Sequence, residues 1–433
     1  MSAEADTLRI DSSQWRALAL LTLVYMLHTM DRNVISALVE PIKHEFKVSD
    51  RGMGALSGLA HSIAFAIAVL PVGWLADRVN RTRLLASLLA TWSVMTALSG
   101  VATSYLGLLV ARLGVGGAEA GTSPTCMSLI SDLFPPSRRA SAIGVFYLST
   151  ALGTGVVFLV GAAVAQHHGW RAMFFAAGVP GIVVACLLLL FLREPARGRF
   201  ETDGALNGAG MDDAIRHILR NRSVLVLVMA VMLAAMLVSS LWTWTASFLI
   251  RIHGLEPKQA GLVIAIAAGV GMALGSSTAG PLADRLSHGV PSRLAFVPSA
   301  TTALSVLAAF GMLFAPTAPT AIGFALLMGV MLGGWFGPGY GMLLTLTPVS
   351  MRGRVTATSQ LLSNLVGAGL GPLLTGALSD HIGGSDSLRL AIALTMIVGV
   401  LAAVLFALAG WYAKGDMTRI DASGQVPAAA ARA

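Results

Sequence analysis

Apolar runs of roughly 18 residues or more recur along nearly the whole chain, and each is long enough to cross a hydrocarbon layer about 30 Å thick. A chain with 55% hydrophobic and 12% charged residues cannot be water-soluble throughout, since a soluble domain carries about 25% charged residues. The bilayer is therefore the solvent for most of it.

Charged and turn-rich breaks place spans near 15–40, 52–76, 84–104, 106–131, 139–166 and 170–193. A second set follows near 222–250, 258–282, 293–315, 319–347, 354–379 and 387–412. The expected fold is an all-α membrane protein of twelve transmembrane helices in two six-helix pseudo-repeats. Twelve spans put both termini on one side, and most of the 29 Lys and Arg residues lie there, which marks that side as cytoplasmic. A multi-pass integral membrane protein is expected, in the plasma (inner) membrane if the source is bacterial. The first run begins near Trp15 and holds charge, unlike a cleaved signal. The net charge of +8 does not point to nucleic acid, because the basic residues sit in short loops and not on one soluble face. Cys126 and Cys186 fall inside apolar runs and read as free thiols.

The expected organisation is a six-helix bundle over 1–193, a cytoplasmic linker over 194–221, a second bundle over 222–412 and a disordered tail over 413–433. In the linker, Met211, Ile215, Ile218 and Leu219 at helical spacing beside Arg216 and Arg220 predict a short amphipathic surface helix. An internal repeat supports the division. Gly73-Trp74-Leu75-Ala76-Asp77-Arg78 after span two recurs as Gly280-Pro281-Leu282-Ala283-Asp284-Arg285 after span eight. Two like-oriented six-span units suit a transporter that rocks one half against the other, more than a channel or receptor.

Arg81 and Arg83 follow the first copy, so a glycine, a carboxylate and three arginines crowd one loop. Such a cluster can latch two halves together, with Gly73, Asp77, Arg78, Arg81, Asp284 and Arg285 as candidate gate residues. The arginines could also simply fix topology, and their repetition at the equivalent place favours the latch. At these residues the chain resembles the major facilitator superfamily, whose corresponding loop reads G-x-L-A-D-R-x-x-R. The second copy lacks the later arginine, which implies a weaker second latch.

Charges inside the membrane cost several kcal/mol and are functional candidates by default. Span one holds Asp31 and Arg32, and span four holds Arg112 and Glu119. Rise per residue puts Asp31 and Arg112 at similar depth as candidate partners, with Glu119 two turns on, about 10 Å deeper. A Glu or Asp that moves relative to Arg112 could load and release a proton, so Glu119 and Asp31 are the candidate coupling residues. The alternative is a buried network that only joins spans one and four. His28 and His61 read first as hydrogen-bonded helix histidines and second as proton relays.

Arg112-Leu113-Gly114-Val115-Gly116-Gly117-Ala118-Glu119-Ala120, leading through Pro124 to Ser131-Asp132-Leu133-Phe134, resembles the Spinster transporters, as does His28 to Asn33. That group usually has glycine where Ala118 stands. The resemblance implies a sphingolipid or lysophospholipid type of substrate, with Asp31, Arg112 and Glu119 in coupling and head-group recognition. A small, amphipathic, anionic substrate is expected, recognised by Arg112, Arg32, His28, Trp242, Trp244 and Asn364, with protons and membrane lipids as partners and a monomer as the working unit. The tryptophans could equally form an interfacial belt. Glycines and Pro338 around Gly333 to Gly341 predict a bend in span ten.

No phosphate-cradling loop is present, because none of Lys43, Lys47, Lys258 and Lys414 follows a glycine. No nucleophile–base pair or ligand set suggests catalysis, a metal or a cofactor. The nearest rival reading is a proton-coupled transporter of drugs or organic anions.

Overall fold

Every long apolar run forms a helix, and the structure, a computed structural model, describes residues 12–200, 210–287 and 290–422. The first half contains α1 (Ser12–Ala37), the short α2 (Val39–Phe46), α3 (Asp50–Ala76) and α4 (Arg81–Ser99). It continues with α5 (Tyr105–Glu119), α6 (Thr122–Leu133), α7 (Pro136–His168) and α8 (Trp170–Phe191). Linker helix α9 (Met211–Arg220) leads into α10 (Arg222–His253), α11 (Pro257–Ser287) and α12 (Ser292–Leu313). Then come α13 (Ala318–Gly333), α14 (Phe336–Thr345), α15 (Arg352–Ile382) and α16 (Ser387–Ala422).

Two spans are broken in the middle, α5–α6 and α13–α14, so the described residues make twelve membrane-length rods, six to a half. Nine of these are by themselves apolar and long enough to cross a bilayer. The other three, α1, α4 and α5–α6, all lie in the first half. They are the rods that carry Asp31, Arg32, Arg81, Arg112 and Glu119.

Both breaks have a local cause. A proline lacks the N–H that would bond the carbonyl four residues back, and its ring clashes with that carbonyl. Pro124 does this to Ala120 and Pro338 to Gly334, and the helices part at 120–121 and 334–335. Helix starts are set by side-chain caps: Ser49 accepts from the Gly52 amide, Asn80 from Arg83, Ser104 from Gly107 and Asn221 from Val224. Gly254, at φ 66°, ends α10 in the left-handed conformation that glycine adopts without strain.

In the linker, α9 buries Ala214 and Ile218 against α10 and leaves Met211, Ile215 and Leu219 exposed. Where the sequence predicts a tail from residue 413, α16 instead runs on to Ala422. Residues 423–433 lie outside the described residues.

The halves meet at the end away from the termini. There α3 crosses α15 so closely that a Cβ on Gly54 would lie 2.3 Å from the Pro372 carbonyl oxygen, and one on Gly376 2.2 Å from that of Asp50. Only glycine permits that approach. The hydroxyls of Ser36 in α1 and Thr243 in α10 also meet across the halves, at 3.2 Å. At the end near the termini, by contrast, a Cβ on Gly73 or Gly280 would find nothing within 4 Å.

Candidate functional site

The break after α5 makes Glu119 the last residue of that helix, with its side chain fully buried. Two turns earlier Arg112 faces α1, where its Nη1 lies 2.6 Å from Asp31 Oδ1 and its Nη2 donates to the Asp31 carbonyl at 3.0 Å. The Thr96 hydroxyl, from α4, donates to the other Asp31 oxygen. Asp31 and Arg112 therefore form a sealed pair within the first half, and Arg112 does not face an open cavity. The predicted partnership across α1 and α5 is present; a substrate-facing arginine fork is not what this state shows.

Glu119 has different company. His28 Nδ1 lies 3.1 Å and His61 Nε2 3.6 Å from Glu119 Oε2. Neither carboxylate oxygen receives a well-aligned hydrogen bond from any described residue. His61 is brought here by Gly116: a Cβ at 116 would lie 2.4 Å from the His61 carbonyl oxygen, so the backbones of α5 and α3 touch. Tyr25 stacks on His28 with ring centroids 5.0 Å apart, and Phe65 stacks on His61 at 6.0 Å. Each aromatic ring comes one helical turn nearer the termini than its histidine. The signal for His61 was in the sequence, in the glycines of span four.

Arg32 leaves its own half. Its Nη2 donates to Asn364 Oδ1 at 2.5 Å, and Asn364 sits in a widened turn of α15 over Ser363–Ala368. These two candidate binding residues thus meet at the boundary between halves. Trp242 is buried, and its Nε1 has no hydrogen-bond partner among the described residues. Trp244 is fully buried and donates to the Pro372 carbonyl at 3.0 Å. In this state it braces α15 and presents no ring to an open path.

Of the candidate gate residues near the termini, Arg81 ties helices of its own half together. Arg81 donates to Asp132 at 2.5 Å, Glu194 at 2.8 Å and Ser128 at 2.7 Å, joining α4 to α6 and the start of the linker. Arg197 donates to the backbone carbonyls of Ala76, Asp77 and Val79, and Arg78 lies over the Trp74 ring at 3.8 Å. Asp284, immediately before Arg285, accepts through its carbonyl from the Ser287 hydroxyl at 2.9 Å within the same helix. The sequence alone does not single out Asp132 and Glu194 as partners of Arg81.

A second cluster, equally hidden from the sequence, closes the far end. Arg251 at the end of α10 reaches both oxygens of Asp50, at 2.8 and 2.9 Å, and Glu40 at 2.9 Å. Lys43 and Ser379 also donate to Asp50, while Asp380 accepts the amides of Asp50 and Arg51. Glu40, Lys43 and Asp50 belong to the first half, Arg251, Ser379 and Asp380 to the second. This is where the halves are tied.

Against known proteins, the family model described as Major Facilitator Superfamily matches residues 21–307 and 253–432. The chain belongs to the Major Facilitator Superfamily. It is a multi-pass membrane transporter and not an enzyme. Over 372 residues it is 30% identical to an "MFS-type efflux pump" of Mycolicibacterium smegmatis, covering 85% of each chain. It is 31% identical over 238 residues to a sphingosine-1-phosphate transporter of Xenopus tropicalis, covering 54% of this chain and 46% of that one. Among solved structures, a bacterial homologue of the human lysosomal transporter Spinster, inward-facing and unoccupied, aligns with a TM-score of 0.85 at 26% identity. That match covers 94% of this chain and 98% of the other.

Proposed function

We propose that this superfamily member is a proton-coupled, alternating-access transporter of an amphipathic, anionic, lipid-like substrate. The observation that carries the reading is the separation of roles in the first half. Asp31 neutralises Arg112 completely, and Glu119, fully buried, has only imidazoles for company. A buried carboxylate whose hydration and partners change as the halves move can take up a proton in one state and release it in the other. Glu119 is the proton carrier on this reading. Arg32 is the group available to an anionic head, because its partner Asn364 is a neutral amide that a phosphate could replace with a stronger, charge-assisted bond.

With both termini in the cytoplasm, the far-end cluster is the closed outer gate and the halves part towards the cytoplasm. The aligned Spinster homologue is likewise inward-facing. Likeness to the Spinster and sphingosine-1-phosphate transporters supports a sphingoid or lysophospholipid substrate. A second reading, export of drugs or organic anions, is favoured by the mycobacterial efflux pump.

The test is transport in reconstituted vesicles with sphingosine 1-phosphate and with a cationic dye as probes. Glu119→Gln should lose accumulation against a gradient and substrate-linked proton movement, while exchange of the lipid survives. Undiminished proton movement in that variant would refute coupling at Glu119, and dye accumulation without lipid transport would move the substrate to the efflux class.

A further inference from the structure

The proton-coupling reading treats Glu119 as a single carboxyl group, but the geometry points to a larger unit. We infer that Glu119, His28 and His61 share one proton among them, so that the carrier is a three-residue site with His61 as a working member. This rests on the proton-coupling reading above and deepens it.

The charge balance leads there first. Glu119 is buried with His28 at 3.1 Å and His61 at 3.6 Å. The other ionisable groups acting on the site are Arg112 and Asp31, already paired with each other, and Arg32, bonded to Asn364. From α4 the site meets Trp92, edge-on to His28 at 6.4 Å, and Thr96, which is bonded to Asp31. A site sealed from water is stable at net zero charge. Among Glu119, His28 and His61 alone, one proton achieves that, either as a carboxyl group beside two neutral imidazoles or as one imidazolium beside a carboxylate; Arg32, half-buried and turned to Asn364 of the other half, stands outside that count. A second proton leaves a net positive charge with no counter-ion in reach.

The second argument is that the fold does not need these side chains. In the other half Gly329 lies against the backbone of Ala267 as Gly116 lies against His61, and a Cβ on Gly329 would come 2.3 Å from the Ala267 carbonyl oxygen. There the helix ends at Gly333 before the same kind of break. The crossing and the break form with alanine and glycine where the first half has His61 and Glu119. Neither nitrogen of His61 has a hydrogen-bond partner among the described residues. It borders the contact between halves, where its neighbour Ser62 packs against Gly369 of α15. Parting of the halves therefore changes what surrounds it.

The experiment counts protons on purified protein in lipid nanodiscs, by back-titration between about pH 8 and pH 5, the range in which a histidine–carboxylate site exchanges. No substrate is needed. Relative to wild type, Glu119→Gln should bind one proton fewer. His61→Gln should bind the same number, because Glu119 and His28 still hold the proton, but with its midpoint lower by about one pH unit, a tenfold loss of proton affinity. The sign follows because glutamine can still donate a hydrogen bond to the carboxylate yet cannot accept the proton. His61→Ala, which copies the alanine of the other half, should fold and show the same count. A loss of one proton in His61→Gln would mean independent sites, and an unchanged midpoint would mean a bystander; either overturns the shared site. A full count in Glu119→Gln would instead overturn the coupling reading itself.

Discussion

Helix α5 ends at Glu119, parts at 120–121 and resumes as α6 with Pro124 in its first turn, whereas α13 ends at Gly333, parts at 334–335 and resumes as α14 with Pro338 in its first turn. The backbone device is the same in both halves, and so is the glycine-mediated crossing beside it. Only the first half sets an acid, two imidazoles and an ion pair there. Buried ion pairs are often neutral or costly for stability, so they are poor candidates for glue that the other half manages without. The contrast teaches that the scaffold bends and packs by proline and glycine, and that the charges in the first half are placed on it for chemistry.

The largest effect should come from breaking the sealed pair. Arg112→Ala leaves Asp31 buried with the Thr96 hydroxyl as its remaining donor, and removing one partner of a buried pair costs about 3–5 kcal/mol. Unfolding in a single detergent should show that loss, and Asp31→Leu combined with Arg112→Met should recover most of it. A loss below about 1 kcal/mol for Arg112→Ala would mean that water already reaches the pair, and the contrast with the uncharged half would weaken.

A smaller effect compares the two crossings directly. Gly116→Val and Gly329→Val each force a side chain into a backbone carbonyl, and overpacking of this kind costs about 1–3 kcal/mol. The two melting temperatures should fall alike. Only Gly116→Val should also shift the midpoint of proton binding, because only that crossing sets an imidazole against a carboxylate. Equal shifts in both variants would break the distinction between the halves.

The spans, the repeat and the charges of α1 and α5 were legible in the sequence because a charge within an apolar run stands out against lipid. Depth alone brought Asp31 and Arg112 together. His61 was harder, since its role depends on how closely α3 crosses α5, which Gly116 sets and a single-sequence reading does not convert into a distance. Arg81 finds Asp132 only where α4 packs beside the end of α6, and Glu194 only where the start of the linker returns to the first half. Trp244 reads as a path-lining residue because its indole stands among the hydroxyls of Ser239, Ser240, Thr243 and Thr245, which would suit an amphipathic substrate, but its indole N–H turns to Pro372 of a helix distant in sequence. The far-end cluster, scattered from Glu40 to Asp380, exists only when the two halves close at that end.

That cluster offers a further comparison, between the tied far end and the untied end near the termini. Arg251→Gln removes the cation that joins Asp50 and Glu40, leaving Asp50 with Lys43 and Ser379. The variant should fold normally and shift the balance towards opening at the far end by on the order of 1 kcal/mol, roughly fivefold in population. Labelling of a cysteine placed beside Asp50 from the side away from the termini should rise by that factor. Arg81→Gln, whose bonds stay within one half, should leave far-end labelling unchanged in this state. An equal rise in both variants would show that Arg251 is no more a tie between halves than Arg81.

The smallest effect should come from a far-end ion pair that does not cross the halves. Glu45 of α2 accepts from Arg171 at 2.8 Å and from the Trp170 indole at 2.6 Å, both on α8 of the same half. Those hydrogen bonds, from Arg171 first and Trp170 second, hold the Glu45 carboxyl below the usual carboxylate range. A depressed value in the folded state means a stabilising contribution that is present above the unfolded value, about 4.3, and lost as pH falls through the folded one. Because the pair is solvent-exposed and screened, that contribution should stay within about 0.5 kcal/mol. Glu45→Gln should therefore melt slightly below wild type near neutral pH, and the gap should close in acid as pH falls through the depressed folded-state value and the wild-type carboxyl protonates. Its far-end labelling should match wild type. A rise in labelling comparable to that of Arg251→Gln would mean that any charge removed from the far end opens it, and that Arg251 owes nothing to its position between the halves.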